Sequence, residues 1–421
     1  MSEKAVMGPE GMRLLPAAEA QRIAATFDLK RLPDGFVDDP YPTYHALRMF
    51  ERCREMPDGS LFLTRHADLE CVYKDTVTFS SDKKKEFRPK FGDSPLFAHH
   101  TTSLVFNDPP LHTRVRKIMA GALTPRAIAA MEAPVTELVD RLLDEMAGKE
   151  DVDLIEDFAA AIPVEVIGNM LAVPHAERGP LRAWSLAILG ALEPSLTEAQ
   201  LAAGNAAVEA FLGYLDGLVA DRRRRPGDPE KDVLTRLIEG EIDGQRLSSH
   251  ELLQNVIFIL NAGHETTTNL IGNGLVALTE WPEEKERLVR EPALMRTAVE
   301  EFLRFESSNQ LGNRMTVAAT EIGGRAVPAG TPVTLCIGAA NRDPECFARP
   351  DVLDIARRPN RHLAFASGAH QCVGMNVARL EGVVAIGRFL ERFPGYRLEG
   401  PPVRTGRVRF RGFTSVPARL S

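Results

Sequence analysis

Apolar residues recur every third or fourth position along most of this chain, the spacing of helices that bury one face. The segment 126–172, "RAIAAMEAPVTELVDRLLDEMAGKEDVDLIEDFAAAIPVEVIGNML", holds that period throughout. Further helices are predicted over 178–223, interrupted at "EPSLTEAQ", where Ser195 and Thr197 are candidate caps. The run "DRRRRPGDPEKD" reads as a solvated helix end and turn. Between 250 and 281, Leu253, Val256, Ile257, Leu260, Gly263, Thr267, Leu270, Ile271, Gly274, Leu275 and Leu278 keep helical spacing and predict one long helix through the middle of the molecule. Strand-like stretches are a minority near the ends. "GSLFLTRHADLECVYKD" predicts a strand then a helix, and "EIGGRAVPAGTPVTLCIG" pairs two β-prone runs as a hairpin across Pro/Gly turns. Residues 1–40, rich in Pro and Gly, are expected to wrap the surface. The fold class is mainly α.

At 421 residues the chain is long enough for a large core, as one domain or as unequal lobes. A net charge of -7 argues against nucleic acid as a partner, because neutralising phosphates needs a concentrated basic face. The five cysteines, Cys53, Cys71, Cys336, Cys346 and Cys372, are scattered with no C-x-x-C pair, which argues against a disulfide scaffold. The N-terminal stretch has no apolar core of a signal peptide, and the apolar runs around Glu265 are broken by Asn, Gly, His and Thr. A cytoplasmic protein without a membrane span is expected.

Helix propensity would not choose "NAGHETTTN", residues 261–269, for the middle of a long helix. Glycine and hydroxyls there suggest either a local distortion that leaves room for a ligand or a close helix crossing. Its "HE" lacks the second histidine of a zinc protease, since position 268 is Thr, and "GNGLVA" at 272–277 has no preceding strand to make it a dinucleotide loop. "EEFLRFE" sets Glu301 and Arg304 one helical turn apart. "DPPLHTRVRKI" does the same for His112 and Arg116, a pair suited to two carboxylates rather than a metal, or to a solvated basic face. In "HLAFASGAHQCVGMNVARLEG", Cys372 stands where a glycine-punctuated loop meets a helical run. A lone cysteine is ordinarily an inert core residue.

Taken together and in order, these segments resemble the cytochrome P450 superfamily, the haem-thiolate monooxygenases of the soluble bacterial kind. The loop fits Phe-x-x-Gly-x-His-x-Cys-x-Gly as Phe365, Gly368, His370, Cys372 and Gly374; "AGHETT" at 262–267, Glu301 with Arg304, and "ANRDP" at 340–344 fall in the family's order. The resemblance implies a single domain over 1–421, with a large helical part and a small β-rich lobe at roughly 40–85 and 314–340. It implies haem b with Cys372 as axial ligand, Phe365 against the macrocycle, Gly368 and Gly374 allowing close backbone approach, and Ala262 beside the cofactor. The propionates are assigned to His112, Arg116, Arg314 and His370, whose side chains suit charge-assisted donation. A helix starting near Val373 would aim backbone N–H groups at the sulfur.

The same resemblance makes Glu265 and Thr266 an acid and alcohol pair that orders water for the two protons dioxygen activation needs. Glu301, Arg304 and Arg357 become a buried structural group. Dioxygen is the co-substrate, one oxygen atom being used to hydroxylate or O-dealkylate a small organic molecule, and the two electrons are expected from an external ferredoxin and its reductase, docking near Arg114, Lys117 and Arg379. A monomer is expected. Three positions depart from the family pattern: Ala366 for Gly, tolerable if φ there is negative; Leu353 for Phe; and Ser308 with Asn309 for Pro and an apolar residue. Asn309 would face the substrate and favour one with a hydroxyl, carbonyl or carboxylate, or else bond to backbone. Phe97, His99 and His100, in the loop expected to cover the substrate, are further candidate pocket residues. A peroxide-using or substrate-rearranging haem-thiolate enzyme is the alternative, and a zinc site from His362, His370, Cys346 and Cys372 is a remoter one.

Overall fold

The computed structural model describes residues 6–7, 12–229, 232–242 and 244–420. Eight helices carry the core and the candidate site: α1 Leu111–Ala122, α2 Pro125–Ala147, α3 Ala161–Met170, α4 Gly179–Gly190, α5 Glu198–Arg224, α6 Ser249–Glu280, α7 Met295–Phe305 and α8 Met375–Arg392. Central helix α6 packs against α3, α4, α5, α7 and α8. Its length follows from its start. Ser248 Oγ accepts from the Glu251 N–H at 3.1 Å while the Glu251 carboxylate accepts from the Ser248 N–H at 2.8 Å, so two orphan donors are satisfied at once. The same reciprocal cap, Thr197 with Gln200, opens α5, and Ser195 takes no part in it. Thr124 caps α2, with Pro125 in the first turn.

The α6 helix is continuous through 261–269, so the expected local distortion is absent. The hydroxyls of Thr266 and Thr268 instead donate to carbonyls one turn back, Ala262 O at 2.7 Å and His264 O at 3.0 Å. Gly263 meets the close-crossing requirement: a Cβ there would lie 2.4 Å from Ile167 Cδ1 on α3.

The β-rich part is a five-stranded sheet of β1 Cys53–Glu55, β2 Leu61–Leu63, β3 Phe79–Ser80, β4 Leu311–Thr316 and β5 Pro332–Cys336, in the order β1-β2-β5-β4-β3. β2 and β5 run parallel; the other neighbours are antiparallel. The expected hairpin is therefore smaller than the sequence suggested. Thr320–Ile322 pairs with Arg325–Val327 across Gly323 and Gly324, while the second β-prone run, β5, is captured by β2 and β4. Residues 17–26, expected to wrap the surface, form a helix that buries Ala20, Ile23 and Ala24; residues 1–5 and 8–11 lie outside the described residues.

Candidate active site

The loop 362–374 presents Cys372 to an interior cavity of about 350 Å³, which is why the thiol has accessible surface although it lies deep in the protein. The Cys372 N–H donates to Phe365 O at 2.9 Å and closes the loop. Helix α8 begins at Met375, two residues beyond the expected Val373, so Gly374 is its cap and donates its N–H to the Cys372 sulfur. Burial pushes the thiol up from its ordinary value, while the Gly374 N–H and the Arg116 and Arg379 guanidiniums pull it down. Gly368 is required twice over: its φ is 68° and a Cβ would sit 2.4 Å from the Tyr73 carbonyl oxygen.

Ala366 corrects the sequence expectation. Its φ is 55°, so the backbone does adopt the left-handed conformation there. An L residue pays about 1–2 kcal/mol for that conformation, and glycine returns about 0.4–1 kcal/mol through the freer unfolded chain. Ala366→Gly is therefore expected to raise stability by about 1 kcal/mol in chemical denaturation of the haem-loaded protein. A loss of stability would mean that the packing of the Ala366 methyl outweighs its strain.

His112 and Arg116 on α1, Arg314 on β4 and His370 in the loop all line the cavity. The rings of His112 and His370 lie 3.9 Å apart, tilted by 30°. Arg314 donates to Asn313 O at 2.7 Å and lies 5.2 Å over the Tyr73 ring. Burial together with the neighbouring Arg116 and Arg314 charges depresses His112, and burial with Arg314, His112 and Arg116 takes His370 down to about 2. His112 Nε2 and Arg314 Nε are buried without a protein partner. Unpaired buried donors facing one cavity are costly unless a ligand accepts from them. This donor set, with apolar walls at Ala364, Phe365 and Val377 and one thiol, fits a flat iron macrocycle bearing two carboxylates.

On the opposite side, Ala262 and Thr266 line the cavity, whereas Glu265 does not. The Glu265 carboxylate is buried and takes both of its oxygens to Arg407 Nη1 at 2.6 Å. Burial raises it to about 7, with Arg407 opposing the rise. Arg407 also donates to Leu186 O at 2.9 Å. Nothing in its sequence surroundings marked Arg407, which lies 142 residues from its partner. Glu381 on α8 was missed for the same reason: it faces the cavity, accepts from Thr267 and is raised by burial to about 8.

Glu301, Arg304 and Arg357 meet below this site. The fully buried Glu301 carboxylate accepts from Arg304 at 2.7 and 2.8 Å, from Arg357 Nε at 3.1 Å, from Asn360 at 3.1 Å and from the Asp354 N–H at 3.0 Å. Of the substrate candidates, Asn309, His99 and His100 line the cavity. Asn309 forms a backbone bridge to Phe410, and its Oδ1 accepts from the Leu311 N–H at 3.4 Å, so both readings of the residue hold in part. His99 is tied to Gln254 at 2.9 Å and lowered by burial to about 4. Phe97 does not line the cavity; Arg88 lies 5.1 Å over its ring. Two of the basic residues expected to dock a redox partner are spoken for: Arg379 pairs with Glu300 and Arg114 with Glu251. His362 bonds Glu300, and among the described residues no three His, Cys, Asp or Glu gather as a metal site.

A family model described as Cytochrome P450 matches residues 194–402. The chain is 37% identical over 409 residues to cytochrome P450 107B1 of Saccharopolyspora erythraea, covering 93% of this chain and 98% of that one. It is 38% identical to the vitamin D(3) 25-hydroxylase of Pseudonocardia autotrophica, over 85% and 87% of the two chains. The crystal structure of P450BioI in complex with acyl carrier protein ligated to hexadec-9Z-enoic acid superposes with a TM-score of 0.87 at 32% identity, covering 92% of this chain and all of that one. No helix among the described residues is long and apolar enough to cross a membrane.

Proposed function

The chain belongs to the cytochrome P450 family, and from that premise we propose that Cys372 Sγ would ligate the haem iron while Thr266, with Glu265 beside it in the chain, would manage protons. The enzyme is a haem b monooxygenase: one atom of O2 enters an organic substrate, the other leaves as water, and two electrons and two protons are consumed. Haem bound there would supply the oxygen activation, which a Cys372 thiolate ligand would favour by donating electron density, as this family exemplifies. Arg116, Arg314, His112 and His370 would hold the two propionates by charge-assisted donation. Ala262 would leave room for the macrocycle, Phe365 would pack against it, and Gly368 and Gly374 would let the loop approach it closely.

Thr266 spends its hydroxyl proton on Ala262 O, so its oxygen offers lone pairs to a cavity water. Glu265, poised near neutrality by burial, exchanges protons efficiently at working pH, and Arg407 fixes its position. Electrons come from an external redox partner, a ferredoxin with its reductase, in the cytoplasm, and the protein acts as a monomer. What supports the reading is a single arrangement: the Cys372 thiol, His112, Arg116, Arg314 and His370, and Thr266 around one cavity.

Thr266→Ala is expected to leave electron consumption running while product formed per electron falls on the order of 10²-fold, the lower end of what positioned proton transfer contributes. Peroxide release measured beside product gives the balance. Unchanged coupling, together with full turnover on peroxide without reductant, would favour the peroxide-using alternative instead.

A further inference from the structure

We propose that Arg409 is a carboxylate anchor in the substrate cavity and that the substrate is an amphipathic carboxylic acid oxidised away from its acid group. The proposal rests on the reading of this cavity as the monooxygenase site. Arg409 is half-buried, lines the cavity and is lowered from its ordinary value by burial. Its side chain donates to Leu192 O at 3.2 Å, to Leu311 O at 2.7 Å and to Asn313 Oδ1 at 2.5 Å. All three acceptors are neutral. Among the described residues no carboxylate reaches its guanidinium within ion-pair distance, in contrast to Arg304, Arg342, Arg407 and Arg411.

The two carboxylates whose charges act on Arg409, Glu193 and Glu86, hold other partners, Glu86 pairing with Lys83 at 2.5 Å. Glu193 accepts from the backbone N–H groups of Val408 and Arg409 and lines a separate outer cleft, in which Arg409 has no part. A guanidinium has five N–H donors and three are spent here, leaving one on each terminal nitrogen, the fork that matches a carboxylate. His100, depressed by burial and then by the charges of His99, Lys90 and Arg409, lines the same cavity with Nε2 unpartnered. A desolvated cation with no carboxylate on its guanidinium calls for an anion.

The remaining wall is apolar. Met119, Leu123, Ile188, Leu189, Phe258 and Ile259 give a hydrocarbon body its place, and Ala262 and Thr266 lie one and two turns beyond Phe258 on α6. Anchoring the acid at Arg409 therefore directs other carbons of the molecule toward Thr266 and the thiol side of the cavity.

The test is ligand binding to the oxidised haem-loaded enzyme, followed by the spin-state change, with dodecanoic, phenylbutanoic and a steroidal carboxylic acid, each beside its primary amide. In the wild type at least one acid is expected to bind about 10- to 100-fold tighter than its amide, the range of a hydrogen bond to a charged group. Arg409→Gln is expected to bring that ratio near unity while the amide binds as before, and Arg409→Lys to keep part of it. No acid preferred over its amide, or equal weakening of acid and amide in Arg409→Gln, overturns the proposal; the second result makes Arg409 a brace for the chain segment it joins to β4. The carbon monoxide spectrum of each variant reports separately on the haem-thiolate site, so failure there is distinguishable.

Discussion

Cys372→Ser is expected to abolish monooxygenation and to remove the strongly red-shifted Soret band of the reduced, carbon monoxide-bound protein. A serine hydroxyl stays protonated and is a hard oxygen donor, whereas the thiolate is soft, anionic and electron-donating. Changes in groups that merely support a metal ligand cost about 10- to 100-fold, so loss of the ligand itself should exceed about 100-fold in product formation. Haem retention is expected to be partial, since His112, Arg116, Arg314 and His370 are untouched. Among the five cysteines only Cys372 lines the cavity; Cys336 is buried elsewhere and Cys346 is exposed. An unchanged red-shifted band in the variant would refute the ligand assignment outright.

The second large effect is on stability. Glu301→Gln leaves Arg304, with no exposed side-chain surface, without its counter-ion. Arg304 keeps its bonds to Asn341 O at 2.9 Å, Pro350 O at 2.8 Å and Val352 O at 3.2 Å, but those neutral carbonyls do not offset the charge. Breaking one side of such a buried pair costs about 3–5 kcal/mol, a large share of the roughly 5–15 kcal/mol that holds a typical domain folded. Urea unfolding read by tryptophan fluorescence checks the size, and the ratio of haem to protein absorbance shows whether the cofactor is lost with it. The partly exposed pair Arg388 and Asp140 supplies the contrast: Asp140→Asn should cost less than about 1 kcal/mol. If the two variants were equally mild, the Glu301 cluster would not carry the fold below the cavity.

Much of this protein is written locally in its sequence. Helical spacing located α6, and the Ser248 to Glu251 cap explains why it starts where it does, because both depend on residues within a turn of each other. The pairing of Glu301 with Arg304 is likewise one turn of α7. The spacing of Phe365, Gly368, His370, Cys372 and Gly374 is legible as a motif because a tight loop tolerates few other residues, as the Tyr73 carbonyl against Gly368 shows.

What local pattern could not decide was everything set by contact between distant segments. Whether residue 366 takes a positive φ depends on the loop closing from Cys372 back to Phe365, and an alanine in itself carries no sign of strain. The β-prone run 332–336 looked like half of a hairpin, yet β2, some 270 residues earlier, and β4 compete for its edges and win. Arg407 reaching Glu265 and Arg409 facing the cavity are products of the C-terminal segment folding over α4 and β4. A charge, unlike an apolar stripe, carries no periodic signal of its partner. The sequence by itself determined the long central helix, the loop around Cys372 and the family; only the tertiary structure decided which buried charges are paired, because burial and counter-ions are set by packing, not by neighbours in the chain.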